Sequence, residues 1–260
     1  MALLKKKNAI ITGAGSGIGR ETAILFAKEG CNLVLSGRRE EPLVQLRDEI
    51  HKNINADLKI LVLPTDLEQL DQAKSLGENA IKFFGSIDIL VNNAGHSSFA
   101  RSIRYTSDEE WESVFKVNAD GVFKLTQSVI ENMIDNKNGT IITVSSIAAL
   151  NPGLLGGASY SSAKAASLAL MRSINSELND KGIRTSTIMP AEVDTPILKG
   201  RPINPDDDAR ATMMMPEDVA STILLCATMP HRTVIQEIVM APIKDRDRSV
   251  EIEAARKAKL

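Results

Sequence analysis

Short apolar runs alternate with amphipathic stretches along nearly the whole chain. Asn8–Thr12, Asn32–Ser36, Leu58–Pro64, Ile87–Val91, Gly139–Val144, Ile183–Met189 and Ile235–Met240 are apolar runs of strand length. Their hydrophobicity is continuous rather than alternating, which predicts strands buried on both faces, as in a parallel sheet. Helical spacing between them predicts helices over Arg20–Lys28, from Glu40 to about Lys52, over Glu68–Phe84 and over Trp111–Met133. A further helix carries Tyr160 and Lys164 and runs to about Asn179, and another starts at Pro216, with proline in its first turn. Ser107 followed by Asp108, Glu109 and Glu110 has the form of a capped helix start. Strand and helix in regular alternation predict one doubly wound, mainly parallel seven-stranded α/β sheet with helices on both faces, a single domain over residues 1–260.

Three stretches depart from the pattern. Asn118 and Gly121 are poor helix formers in the middle of the Trp111–Met133 helix, predicted to be long or kinked. Such a local conflict marks a place to look for function. Residues 191–215, with Pro196, Pro202, Pro205 and an Asp206–Asp208 run, predict a long loop of the kind that forms lids. Residues 245–260 are highly charged and predict a solvated helix or a frayed end.

Composition narrows the function. The chain has 260 residues, 43% of them apolar, and a formal net charge of −2, so no basic field points to nucleic acid. Six phenylalanines, two tyrosines and one tryptophan are too few for a base-stacking platform. Cys31 and Cys226 lie far apart without a CxxC partner, so neither a disulfide framework nor a metal site is predicted. The N-terminal lysines are not followed by an apolar segment, and no apolar run approaches the length of a membrane span. The expectation is a soluble, cytoplasmic protein with no membrane partner.

The chemistry gathers at strand ends. Gly13, Gly15, Gly17 and Gly19, with Ser16 and Ile18 between them, follow the first strand and lead into a helix. That order points backbone N–H groups at a phosphate, and glycine lets the backbone approach it closely. The second strand ends in Ser36-Gly37, where an NAD-binding fold places an acid on the adenosine ribose, and Arg38 and Arg39 follow. A carboxylate would repel a 2′-phosphate, whereas guanidinium binds it, so the pattern favours NADP(H) over NAD(H). Asp66 and Leu67 follow the third strand. Asn92-Asn93-Ala94-Gly95 closes the fourth, a sequence suited both to a tight turn and to lining a ligand crevice. Tyr160 and Lys164, four apart, share one helix face behind a Gly/Pro loop that begins at Ser145-Ser146.

These motifs, in this order, resemble the short-chain dehydrogenases/reductases in their simple single-domain branch, over roughly residues 7 to 242. Thr12–Gly19 is similar to the TGxxxGxG cofactor loop, Asn92–Gly95 to the NNAG turn, and Pro190–Thr195 to the PGxVxT segment beside the nicotinamide. Asp66 matches the acid that contacts adenine. Asn118, Ser146, Tyr160 and Lys164 match the catalytic four. The resemblance implies a Rossmann-type fold and a cofactor site that takes in Gly13–Gly19, Arg38, Arg39, Asp66, Leu67, Asn92, Ala94, Gly95, Tyr160, Lys164, Pro190, Val193 and Thr195. Three departures stand out. Ala191 replaces the usual glycine, implying a turn without positive φ. Ser16 stands where NADP-preferring members often carry a base. The gap from Ser146 to Tyr160 is one residue longer than usual, which keeps Ser145 open as the partner of Tyr160.

The implied activity is hydride transfer between the nicotinamide and a carbonyl or secondary alcohol of a small molecule, by a homotetramer or homodimer. Tyr160 would be the acid/base. An ammonium at ~4 Å and an effective dielectric of about 20 would favour the phenolate by roughly 4 kcal/mol, about three pKa units. Lys164 would supply that field and bind the cofactor ribose, Ser146 would donate to the developing oxyanion, and Asn118 would hold a proton-relay water. A 3-oxoacyl ketoreductase acting on acyl carrier protein is an alternative within the class. A nucleotide-binding sensor that has lost catalysis and an enoyl reductase are rivals, against which stand the complete catalytic four and the short Tyr160–Lys164 spacing.

Overall fold

A computed structural model describes residues 2–259. Seven strands, β1 (Asn8–Thr12), β2 (Asn32–Gly37), β3 (Ile60–Pro64), β4 (Ile89–Asn92), β5 (Gly139–Val144), β6 (Ile183–Pro190) and β7 (Glu237–Met240), form one sheet in the order β3-β2-β1-β4-β5-β6-β7. Every pairing is parallel. The chain winds outward from β1 to β3, returns to the other side of β1 as β4, and winds outward again. The two windings diverge between β1 and β4, and the C-terminal ends of those strands open a crevice there.

The continuous apolar runs are explained by cover on both faces. Helices α1 (Gly17–Lys28), α2 (Glu40–Asn53) and α8 (Pro216–Thr228) bury Phe26, Leu43, Leu46 and Ile223 against one face. On the other, α3 (Leu70–Phe84), α5 (Gly121–Asp135) and α6 (Ala158–Leu178) bury Leu76, Leu125, Val129 and Met171. The doubly wound single-domain fold read from the sequence is the fold observed.

The three irregular stretches have structural answers. The predicted Trp111–Met133 helix is interrupted: α4 (Asp108–Phe115) passes into a π-helical turn, Lys116–Asp120, before α5. The Gly121 N–H reaches back to the Lys116 carbonyl to close the wide ring. The stretch after β6 is more folded than a loop. It holds a 3₁₀ turn (Pro196–Gly200), the short α7 (Asp207–Arg210) capped by Asp206, and a bridge between Val193 and Met214.

The charged tail is the helix that one of the two expectations allowed, not a frayed end, and it is docked along one side. It forms α9 (Ser249–Lys257), which buries Ala255. Arg246, just before it, is drawn to Glu192 beyond β6, with Nη2 2.8 Å from the Glu192 carboxylate. Glu192 also pairs with Arg201 at 2.7 Å, and Arg246 pairs with Glu251 at 2.6 Å. All four side chains are largely buried, and their alternating charges satisfy one another where solvent would otherwise be needed.

Candidate active site

The glycine loop is shaped by what a side chain would strike. Gly13 and Gly17 have φ of +66° and +52°, the left-handed region. A Cβ on Gly19 would lie 2.4 Å from the Gly13 carbonyl oxygen, because α1 starts directly beneath the loop. Thr12 holds the loop to the turn after β4, its Oγ1 accepting from the N–H groups of Asn93 and Ala94, each at 3.0 Å. Ser16 caps α1 with its backbone only, and no acid occupies the first turn, so that helix end faces the crevice open to an anion.

The crevice continues as two connected cavities of about 640 and 490 Å³ that share Gly13, Ser16, Ala94 and Gly95. The smaller is also lined by Gly15, Arg38, Arg39, Asp66 and Leu67. Among the described residues, neither Arg38 nor Arg39 pairs with a carboxylate. The Asp66 carboxylate accepts the Glu68 N–H at 3.1 Å, which fixes the turn after β3. The larger cavity is lined by Gly17, Ile18, Ser145, Ser146, Tyr160, Lys164, Pro190, Val193 and Thr195. Ala191 stands in its wall without positive φ; among the described residues only Lys6 and Lys137 carry one outside glycine.

Helix α6 presents Tyr160 and Lys164 to this cavity from one face. The Ser145 hydroxyl donates away from the cavity, to the Lys164 carbonyl at 3.0 Å. Ser146 accepts the Ala148 N–H at 3.2 Å and lies against the Tyr160 phenol. The structure therefore brings Ser146, and not Ser145, to Tyr160. The 3₁₀ turn Ile147–Ala149 and the loop behind it take up the extra residue in the spacing.

The electrostatics correct one expectation. Lys164 Nζ is 5.6 Å from the Tyr160 ring centroid and donates to the Val144 carbonyl at 2.8 Å. Burial raises the phenol above its ordinary pKa, and the groups that oppose it are Ser146, Arg101 and Arg201. Burial also lowers Lys164 to about 8. With each group desolvated and the ammonium turned to a carbonyl, the large Lys164-driven stabilisation of a phenolate is not the arrangement observed.

Gly19, Asn92 and Asn118 line neither cavity. Asn92 is buried, with Nδ2 on Thr126 Oγ1 at 3.2 Å. Asn118, in the π-helical turn, is 0% exposed. Its Nδ2 donates to the carbonyls of His96 (2.7 Å) and Val114 (2.8 Å), and Oδ1 accepts the His96 N–H at 3.3 Å. A Cβ on Gly95 would lie 3.3 Å from Asn118 Oδ1 and 3.5 Å from Lys164 Nζ, so Asn118 sits one contact behind the lysine. With both carboxamide donors spent on backbone, a water could be held only through Oδ1.

Comparison with known proteins gives the family and the fold. The family described as short chain dehydrogenase matches residues 7–205. The chain belongs to the short-chain dehydrogenases. Its similarity to an uncharacterized oxidoreductase of Staphylococcus aureus (strain USA300) is 31% identity over 243 residues, covering 94% of this chain and 100% of the relative. It is 32% identical to the 3-oxoacyl-[acyl-carrier-protein] reductase of Thermotoga maritima, covering 91% of this chain and 96% of that one. A metagenomic short-chain oxidoreductase solved in complex with NADP superposes with a TM-score of 0.79 at 28% identity, covering 94% of this chain and 100% of that one. The alcohol dehydrogenase of Thermococcus sibiricus shares the fold, with a TM-score of 0.82 at 24% identity over 93% of this chain and 98% of that one. This is a family of nicotinamide-dependent oxidoreductases acting on small molecules. No helix among the described residues is long and apolar enough to cross a membrane.

This short-chain dehydrogenase adds cavity-lining residues that no motif singled out: Ser97 and Arg101 from the loop 96–106 and Arg201 from the loop 191–215, both expected to shape the pocket, and Arg248 and Ile252, which were not expected there. Arg101 is 4% exposed. Its loop was expected to shape the pocket, but nothing in the polar pattern there singles out this arginine as the buried one. Arg248 and Ile252 come from the tail. The charges of this segment pointed to solvent, so its docking had no local signal.

Proposed function

We propose that the protein is an NADP(H)-dependent oxidoreductase that moves a hydride between the nicotinamide and a carbonyl or secondary alcohol, with Tyr160 as the acid/base. The observation that carries this reading is the convergence of Tyr160, Ser146 and Lys164 on a cavity continuous with the glycine loop. The residues fit the cofactor: Gly13 and Gly17 stand where a Cβ would strike Ala94 and Thr195 in the crevice wall, and an uncapped helix end faces it. Gly13–Ile18 would hold the pyrophosphate, Asp66 and Leu67 the adenine, and Ala94, Gly95, Pro190, Val193 and Thr195 the nicotinamide side. Arg38 and Arg39, without acidic partners among the described residues and next to Gly37, suit a ribose 2′-phosphate. When bound, the nicotinamide supplies or accepts the hydride.

The chain's own residues manage the proton and the charge. Reduction leaves negative charge on the substrate oxygen, and the Tyr160 phenol delivers the proton there. Its raised pKa keeps that proton in place at neutral pH. Ser146 donates to the same oxygen as charge develops. Lys164, pinned to the Val144 carbonyl, stands ready to bond the ribose hydroxyls. Asn118 acts as a positioning residue, clamping the His96 backbone beside Lys164. The substrate segment is 191–215. Reduction of 3-oxoacyl chains on acyl carrier protein is the second reading, favoured by the Thermotoga relative.

Initial rates with NADPH and NADH over a panel of ketones test the proposal. NADPH is expected to give at least a tenfold higher kcat/KM. Tyr160→Phe is expected to abolish turnover while NADPH binding, followed by fluorescence, stays near wild type. Full activity in Tyr160→Phe would refute the assignment of Tyr160, and a preference for NADH would refute the role of the arginines.

A further inference from the structure

The cavity around Tyr160 holds a guanidinium that no carboxylate pairs with among the described residues. Its lining includes Arg101, Lys164, Arg201 and Arg248. Arg201 pairs with Glu192 and Arg248 with Asp245. The Glu192–Arg201–Arg246–Glu251 cluster closes on itself with equal numbers of each sign. Lys164 is already assigned to the cofactor side.

Arg101 is different. It is 4% exposed, and no carboxylate lies within ion-pairing distance of it among the described residues. Its guanidinium is held by neutral acceptors: Nη1 donates to Ser97 Oγ and, at 3.0 Å, to the Gly156 carbonyl, and Nη2 donates to the Gly200 carbonyl at 3.2 Å. The Nε–H has no acceptor among the described residues. An unpaired buried guanidinium with an orphaned donor is costly, and native structures keep such groups for a reason. The placement is rigid as well. Gly157, with φ +80° at the start of α6, brings its backbone against the Arg101 stem, where a Cβ would lie 3.0 Å from both Cα and Cδ. The Ala158 N–H donates to the Arg101 carbonyl at 3.2 Å. Tyr160 is two residues further along the same helix.

We propose that the substrate of this cavity carries a single carboxylate, an oxo acid or the matching hydroxy acid, and that Arg101 receives that carboxylate on its Nε–Nη2 edge. The inference rests on the Tyr160-centred reading above and names the substrate class. A monoanion matches the single charge of this guanidinium. The carboxylate supplies the acceptor that Nε lacks and replaces the neutral Gly200 carbonyl on Nη2 with a charge-assisted, bidentate partner. Gly200 belongs to the segment over the cavity, so binding of the acid and adjustment of that segment are one event.

The experiment compares 2-oxo and 3-oxo acids with their own methyl esters in NADPH-linked initial rates. Wild type is expected to favour the acids at least tenfold in kcat/KM. Arg101→Met is expected to lower kcat/KM for the acids about 100-fold more than for the esters. Arg101→Lys, which keeps the charge without the fork, is expected to recover part of the acid preference. Equal use of acid and ester by wild type, or an equal loss on both in Arg101→Met, would overturn the proposal. A binding arm separates it from the catalytic reading: Tyr160→Phe saturated with NADP⁺ is titrated calorimetrically with 3-oxobutanoate and with its methyl ester. Acid-selective binding that disappears in Tyr160→Phe/Arg101→Met upholds the carboxylate site even where no turnover is seen. Binding without acid selectivity overturns it, and turnover of esters as fast as acids leaves the oxidoreductase standing without it.

Discussion

Replacing Lys164 by Met tests how the site holds its cation. Met keeps an unbranched stem and removes the charge. In the wild type Lys164 is 4% exposed, has no carboxylate partner among the described residues, and is lowered by burial from 10.5 to about 8. A lysine lowered on folding behaves oppositely to one that gains an acid partner. Below pH 8 both states carry the proton, and the folded state bears the full burial penalty. Between pH 8 and 10.5 the unfolded chain binds more protons, so stability rises with pH. Above 10.5 the penalty is gone. At ~1.36 kcal/mol per pH unit, the fall from 10.5 to about 8 is worth about 3 kcal/mol. Lys164→Met removes that penalty but leaves the Val144 carbonyl without its donor, a loss of about 1–3 kcal/mol. At pH 7 the variant is therefore expected to equal or exceed the wild type in stability while losing turnover. The sharper quantity is the wild-type minus variant difference from urea unfolding of the nucleotide-free proteins at pH 7.5, 9 and 10.5. It should rise by about 3 kcal/mol across the series. A flat or falling difference would mean that the ammonium is solvated or paired, and the reasoning would fail.

Other expectations follow from the same contacts. Glu192→Gln strips the shared partner from Arg201 and Arg246 and is expected to cost about 3 kcal/mol in urea unfolding and to speed proteolysis within residues 245–257. Burial alone would raise the Glu192 pKa, but Arg246 and Arg201 hold it below the ordinary value of 4.5. Its contribution is thus present above pH ~4.5 and lost as the pH falls further, and the variant should lack this acid-sensitive part. Gly19→Ala would put a methyl 2.4 Å from the Gly13 carbonyl oxygen, so it is expected to destabilise the fold by about 1–3 kcal/mol and raise the Kd for NADPH more than tenfold. Gly37→Ala, with only Leu43 Cδ2 at 3.7 Å, is the stability control and should unfold within about 1 kcal/mol of wild type.

What could be read from the sequence was whatever local order encodes. A strand buried on both faces is apolar throughout, so β1, β2 and β5 announced themselves, as did the glycine cluster that must follow β1. Asn118 and Gly121 marked the interrupted helix because their propensities clash with it locally, although the width of the turn was not visible. Pairings between distant residues were not legible. Arg101 meets Gly156 and Gly200, and Arg246 meets Glu192, only after the sheet has brought those segments together. Whether Lys164 faces a phenol or a carbonyl depends on a few ångströms of depth, which spacing along a helix does not specify.

The π-helical turn bears on how this chain tolerates changes of length. Along a straight α-helix, Val114 and Met133 would be separated by about 5.3 turns, leaving them roughly 100° out of phase. Both are fully buried. The wide ring from Lys116 to Gly121 absorbs about one residue's rotation and returns α5 to the phase of α4. Deleting Ala119 would remove the same rotation by another route, giving an uninterrupted helix of about five turns between the two buried side chains. The hydrophobic stripe would keep its aim at the core, while the ring that holds Asn118 against His96 would vanish. The turn is thus a single-residue insertion that packing does not require, and a shortened chain should fold with its lysine no longer backed.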